Sequence, residues 1–175
     1  MFPIKDDNPT ETRPYITCIL ISINILIYFY QLGLAETDNY ALIIKYGFKP
    51  NHLFALEFTT NYTVSPFLTV FTSMFLHGGF FHIIGNMLFL WIYGNNIEDS
   101  MGHIKFLIFY LTCGFAAAFL QASLSSTSST PMIGASGAVS GVLSAYFLLF
   151  PKARVLTLII LLFFITFIRI PAGIL

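Results

Sequence analysis

Residues 106–151 read FLIFYLTCGFAAAFLQASLSSTSSTPMIGASGAVSGVLSAYFLLFP, a run of 46 residues without one formal charge. One helix crosses the hydrocarbon core of a membrane in about 20 residues, so this run is long enough for two helices and a turn. Composition places the turn. Seven of the eight residues from Ser123 to Thr130 are Ser or Thr, and Pro131 follows, a combination that ends helices. One span is therefore predicted at about 106–122 and another at about 136–150. The latter is short and rich in small residues, with Gly137 and Gly141 four apart. That small-xxx-small face suits a helix in the middle of a bundle, where backbones approach closely.

Two more uncharged windows extend the pattern: 22 residues between Arg13 and Glu36, and 40 from Phe58 to Ile97. The first holds a span at 15–33, apolar except for Thr17, Ser22, Asn24 and Gln31. It follows a mixed leader with Asp6, Asp7 and Glu11, unlike the basic n-region of a cleavable signal peptide. The second is rich in Thr, Ser and Asn up to about residue 73 and dense in Phe, Ile, Leu and Met from Phe80, which places a span at about 79–95. Val155 to Ile168 is a fourteen-residue uncharged stub closed by Arg169, and Pro171 would suit the first turn of a new helix. The expected fold is all-α: a polytopic transmembrane helix bundle over 15–175 with four complete spans and the start of a fifth, behind a cytoplasmic segment 1–14.

Composition agrees. Only sixteen of the 175 residues are charged, 9% of the chain against about 25% in soluble domains, while 57% are hydrophobic and mean hydropathy is +0.81. Eight basic residues balance eight acidic ones, so there is no basic footprint for nucleic acid. Cys18 and Cys113 lie in apolar runs and read as small core residues. With the N-terminus in the cytoplasm, Lys5, Arg13, Lys105, Lys152, Arg154 and Arg169 fall inside and only Lys45 and Lys49 outside, which favours that orientation and an integral, multi-pass protein. The first outer loop, about 34–76, is aromatic and holds no spanning run, so it is expected to lie partly in the interface. Asn61-Tyr62-Thr63 within it is a glycosylation sequon.

Polar side chains at membrane depth mark chemistry or helix contacts, and two clusters stand out. His82 and Asn86 are four apart and share a helix face. Gly134-Ala135-Ser136-Gly137 sets a serine between small residues at the start of a helix, where backbone N–H groups are unpaired and the dipole is positive. Taken singly, the pair reads as a helix-to-helix hydrogen bond and the serine as a close-packing residue. Taken together they supply a nucleophile and two donors, the inventory of an acyl-transfer site with an oxyanion hole. A zinc site fits less well, because His82 and Asn86 lack the Glu of a zincin helix and no carboxylate lies nearby. No phosphate-binding loop is present, and neither metal nor soluble cofactor is expected.

The run Phe71-Thr72-Ser73-Met74-Phe75-Leu76-His77-Gly78-Gly79, then His82 and Asn86, then Asn96-Ile97-Glu98-Asp99 and Gly102, and finally Gly134-Ala135-Ser136-Gly137 resembles the rhomboid intramembrane serine proteases over about residues 65–175. The resemblance implies a rhomboid-like bundle that cuts transmembrane segments of other membrane proteins within the lipid bilayer. It implies Ser136 as nucleophile, His82 and Asn86 with the Ser136 N–H as oxyanion donors, and supporting places for His77, Gly134 and Gly137. His77 would support a water-accessible cavity. Where the family often carries a Trp-Arg pair, Val70-Phe71 stand here.

Family members pair the serine with a histidine on a sixth span. The four histidines here, His52, His77, His82 and His103, all precede Ser136, so these 175 residues are expected to lack the general base and, by themselves, activity. Three readings follow: a rhomboid protease whose sequence continues past the start of its fifth span, a catalytically inactive relative that binds client transmembrane helices, and a transporter subunit. Absence of an intramembrane Asp or Glu weighs against the last.

Overall fold

The computed structural model describes residues 2–53, 64–161 and 164–174; the sequon at 61–63 lies outside them. The four predicted spans are helices: α1 Tyr15–Gly33, α5 Phe80–Met101, α6 His103–Leu124 and α7 Ser136–Leu149. The outer loop contributes α2 Glu36–Tyr46, α3 Pro50–Leu53 and α4 Pro66–Ser73. Helices α1 and α6 are long and apolar enough to cross a membrane. Helix α5 has the length, 22 residues, but carries His82, Asn86, Asn95, Asn96, Glu98 and Asp99 along it. Helix α7 is apolar and short.

The small-residue prediction for α7 holds in detail. The helix packs between α5 and α6, and a Cβ at Gly137 would come within 2.5 Å of Ala117 while one at Gly141 would collide with Cys113. Cys113 is accordingly half-buried at a helix contact, whereas Cys18 is exposed on α1 and is not a core residue. Three of the four polar exceptions in the first window acquire a reason: Thr17, Asn24 and Gln31 lie on the buried face of α1 with Leu20 and Tyr28, whereas Ser22 is exposed. Between α5 and α6 the chain turns on Gly102 alone, at φ +81°, a left-handed conformation open to glycine.

The stub corrects the all-α expectation. Among the described residues of 155–175 no fifth α-helix begins: β2 Arg154–Leu161 and β3 Phe164–Pro171 form an antiparallel hairpin, with a 3₁₀ turn at Ala172–Ile174 after Pro171. The run is rich in β-branched residues, among them Val155, Thr157, Ile159, Thr166, Ile168 and Ile170, which favour strands. The leader supplies a third strand, β1 Phe2–Asp6, to give the order β1-β2-β3. Val155 and Thr157 point inward and are fully buried. Pro3 sits on the edge strand, where a missing N–H is tolerated.

Residues at the end of α5 clamp the leader. Asp6 accepts hydrogen bonds from Asn96 of α5 (2.7 Å) and the Tyr146 hydroxyl of α7 (2.9 Å), while Asn8 donates to Asn96 at 2.6 Å. Burial pushes the Asp6 carboxyl above the ordinary 3.8, with the bonds from Tyr146 and Asn96 opposing. A raised native pKa means that the folded state holds the proton more tightly than the unfolded chain. This contribution to stability is therefore complete below about pH 3.8 and is lost as pH rises through the raised value. Asp6→Asn is expected to remove that segment of the pH–stability profile, measured by thermal unfolding in detergent from pH 3 to 8. An unchanged profile would locate the dependence elsewhere.

Candidate active site

Ser136 is the first residue of α7, and no side chain caps that terminus, so its N–H is one of the unpaired donors of the first turn. The approach to it is fixed from two sides. Phe48 and Met132 exchange backbone hydrogen bonds at 3.0 and 2.7 Å, and the Gly134 N–H donates to the Ser73 carbonyl at 2.8 Å. Gly134 itself has φ +114°, and a Cβ there would lie 2.6 Å from the His82 ring. Gly134→Ala is thus expected to cost about 1–3 kcal/mol in backbone strain and to displace His82. Unfolding in detergent measures the first effect, and the His82 side-chain resonance measures the second.

Ser136, His82 and Asn86 line one cleft of about 330 Å³ between α5 and α7, together with Phe81, Gly85, Phe89, Val139, Ser140 and Leu143. Ser136 and His82 are exposed to it, and Asn86 is buried. The three residues singled out from sequence are therefore brought together. On its inner side Ser136 also borders a small cavity of about 50 Å³ under Met74 and Gly134.

His77 is not exposed to the cleft. It is 1% accessible in the turn before α5, with Nε2 3.1 Å from the Asn86 side-chain nitrogen and its ring 5.1 Å from that of His82 in an edge-on contact. With the amide nitrogen donating, His77 carries its own proton on Nδ1, and one Asn86 N–H remains for the cleft. Burial first, then the neighbouring His82, pulls His77 down to about 4, which keeps it a neutral acceptor at physiological pH. Its Nε2 is thus free to accept from the Asn86 amide.

Gln31 of α1 holds that turn: its oxygen accepts from the His77 N–H at 3.0 Å and its nitrogen donates to the His77 carbonyl at 3.1 Å. Gln31 stands out in the sequence as a polar residue within an apolar span, the indicator of an interior contact, but its partner 46 residues away has no local cue. Among the described residues no group of three or more His, Cys, Asp or Glu could hold a metal ion.

A serine at a bare helix N-terminus thus shares a cleft with a histidine and an asparagine inside an apolar helix bundle. Residues 65–175 match the rhomboid domain, and the chain belongs to the rhomboid family, whose members are integral to the membrane. It is similar to the rhomboid protease GluP of Bacillus subtilis, 29% identical over 133 residues that make up 76% of this chain and 24% of the relative. It is also similar to the rhomboid protease AarA of Providencia stuartii, 30% identical over 74% of this chain and 49% of the relative. The mitochondrial rhomboid protein 1 of Saccharomyces cerevisiae is 32% identical over 53% of this chain and 28% of its own length. The chain thus spans between about a quarter and a half of the length of these relatives.

Proposed function

We propose that this chain is the nucleophile-bearing portion of an intramembrane serine endopeptidase that cleaves transmembrane segments of membrane-protein substrates. The shared cleft of Ser136, His82 and Asn86 carries the reading. In it the Ser136 Oγ attacks a peptide carbonyl entering between α5 and α7. The developing oxyanion takes hydrogen bonds from the Ser136 N–H, His82 and Asn86, each weak toward the ground state and strong toward the tetrahedral intermediate. Phe81, Phe89 and Leu143 give the cleft apolar walls suited to a helical substrate. The proton from Oγ passes to a base, for which the family resemblance supplies a histidine on a later span of the full-length protein. Helices α1, α5, α6 and α7 are read as four membrane crossings with the N-terminus cytoplasmic. In support, β1, the α5–α6 turn and the residues after α7 share one end of the bundle, where Lys5, Lys105, Lys152 and Arg154 gather.

A second reading is favoured by one observation: His82 is the sole histidine among the residues that line the cleft. A protein with this cleft and no base would bind client transmembrane helices without cutting them. Full-length protein in lipid vesicles with a reporter transmembrane substrate separates the two. Cleavage that disappears in Ser136→Ala supports the peptidase. Substrate retained uncut, to the same extent with and without Ser136→Ala, supports the binding protein.

A further inference from the structure

The outer face of the three-stranded sheet carries an unassigned cluster of cations. Lys5 lies opposite Leu156, and Leu156 opposite Arg169, so the three point to one side; Arg154, two residues before Leu156, points the same way. Lys5, Arg154 and Arg169 are exposed and line, with Asp6, Asp7 and Leu156, a cleft of about 160 Å³. Among the described residues the ion pair formed is Glu98–His103, and none of the three cations has a carboxylate within salt-bridge distance. The acids of the cleft are engaged by other donors: Asp7 accepts from the Arg154 N–H, and Asp6 from Asn96 and Tyr146.

Further along the same face the chemistry changes. Leu158 pairs with Phe167, and Phe167 and Ile165, alternate residues of β3, are 60% and 71% exposed. One sheet face is therefore cationic at one end and apolar at the other, the pattern of an element that meets headgroups with Lys and Arg and the acyl boundary with aromatic and aliphatic side chains. On the opposite face Val155 and Thr157 are fully buried, whereas Ile168, opposite Thr157, is 45% exposed.

We propose that this face binds an anionic phospholipid, its phosphate held by Lys5, Arg154 and Arg169 and its acyl region lying against Phe167 and Ile165. The site is at the far end of α7 from Ser136, about 20 Å away by helix rise, and it stands whether or not Ser136 cuts anything. The opposed patches favour a lipid over free phosphate, which would use the cations and leave Phe167 and Ile165 uncovered.

The test uses full-length protein in a neutral detergent, titrated with phosphatidylglycerol, with phosphatidylcholine of the same chains and with inorganic phosphate. Bound lipid is counted by native mass spectrometry and stabilisation read by thermal unfolding. Phosphatidylglycerol is expected to bind and stabilise, with affinity falling about fivefold for each cation removed and so about 25-fold in the Arg154→Gln, Arg169→Gln double variant. Lys45→Gln with Lys49→Gln should change it less than twofold. Equal binding of phosphatidylcholine, equal stabilisation by inorganic phosphate, or full affinity in the double variant would each overturn the proposal. If the double variant does not fold, Lys5→Gln on the exposed edge strand gives the same reading with a fivefold loss, and Arg169→Lys should retain binding.

Discussion

Ser136→Ala in the full-length protein is expected to lower cleavage of a reporter transmembrane substrate by at least about a thousandfold, to the background of the vesicle assay. The size follows from what the hydroxyl does. In the proposed reaction no acyl-enzyme forms without it, and the oxyanion donors can only assist direct attack by water. Asn86→Ala should cost less, about 10²–10³ in kcat with little change in KM, because it removes a single donor used mainly in the transition state. The fold itself should survive Ser136→Ala, since the Ser136 side chain is exposed at the helix start and α7 has no side-chain cap to lose. Retained cleavage in a folded Ser136→Ala variant would remove Ser136 from the nucleophile role and, with it, the proposed reaction.

Much of this arrangement was legible in the sequence, for identifiable reasons. A charge in hydrocarbon is so costly that the gaps between charges locate the long helices: α1 coincides with the predicted 15–33, while α5 and α6 run past their gaps to take in Glu98, Asp99 and Lys105. Small residues at i and i+4 on an apolar helix announce a close crossing, and Gly137 and Gly141 meet Ala117 and Cys113. Two residues at helical spacing share a face, which is why His82 and Asn86 reach one cleft. What escaped was set by partners distant in the chain. The β-hairpin at 154–171 could not be told from a short apolar helix by hydrophobicity alone; its third strand comes from residues 2–6, a pairing with no local cue. The roles of Gln31, Asp6 and Tyr146 likewise depend on contacts across 46 to 140 residues of sequence. Exposure of Cys18 was missed because in a lipid-facing helix an apolar run does not distinguish inside from outside.

Glu98→Ala is expected to produce the largest loss of stability among substitutions away from the cleft, about 3 kcal/mol. Asn96-Ile97-Glu98-Asp99 belongs to the stretch that resembles the rhomboid family, and the structure gives it a physical role. Glu98 is fully buried at the end of α5, and its two oxygens accept from the Ile16 and Thr17 N–H groups at 2.8 Å each, the first turn of α1, while His103 Nδ1 lies 2.6 Å from it. Those N–H groups have no intrahelical acceptor, and a carboxylate there also meets the positive end of the helix dipole. Asp99 next to it accepts from the Glu11 and Thr12 N–H groups at 3.1 and 2.7 Å, so successive side chains of α5 fasten residues 6–17. Removing the carboxylate breaks two hydrogen bonds to a charged acceptor, about 1.5–3 kcal/mol each, offset in part by whatever water reaches the half-exposed Ile16. Glu98→Gln, which keeps one acceptor oxygen, should lose about half as much. Unfolding in detergent measures both, and exchange of the Ile16 and Thr17 amides reports on the site directly: they should exchange fast in Glu98→Ala and at an intermediate rate in Glu98→Gln. Equal stability of the three proteins would mean that α1 is seated by its apolar contacts with α5 and not by the Glu98 carboxylate.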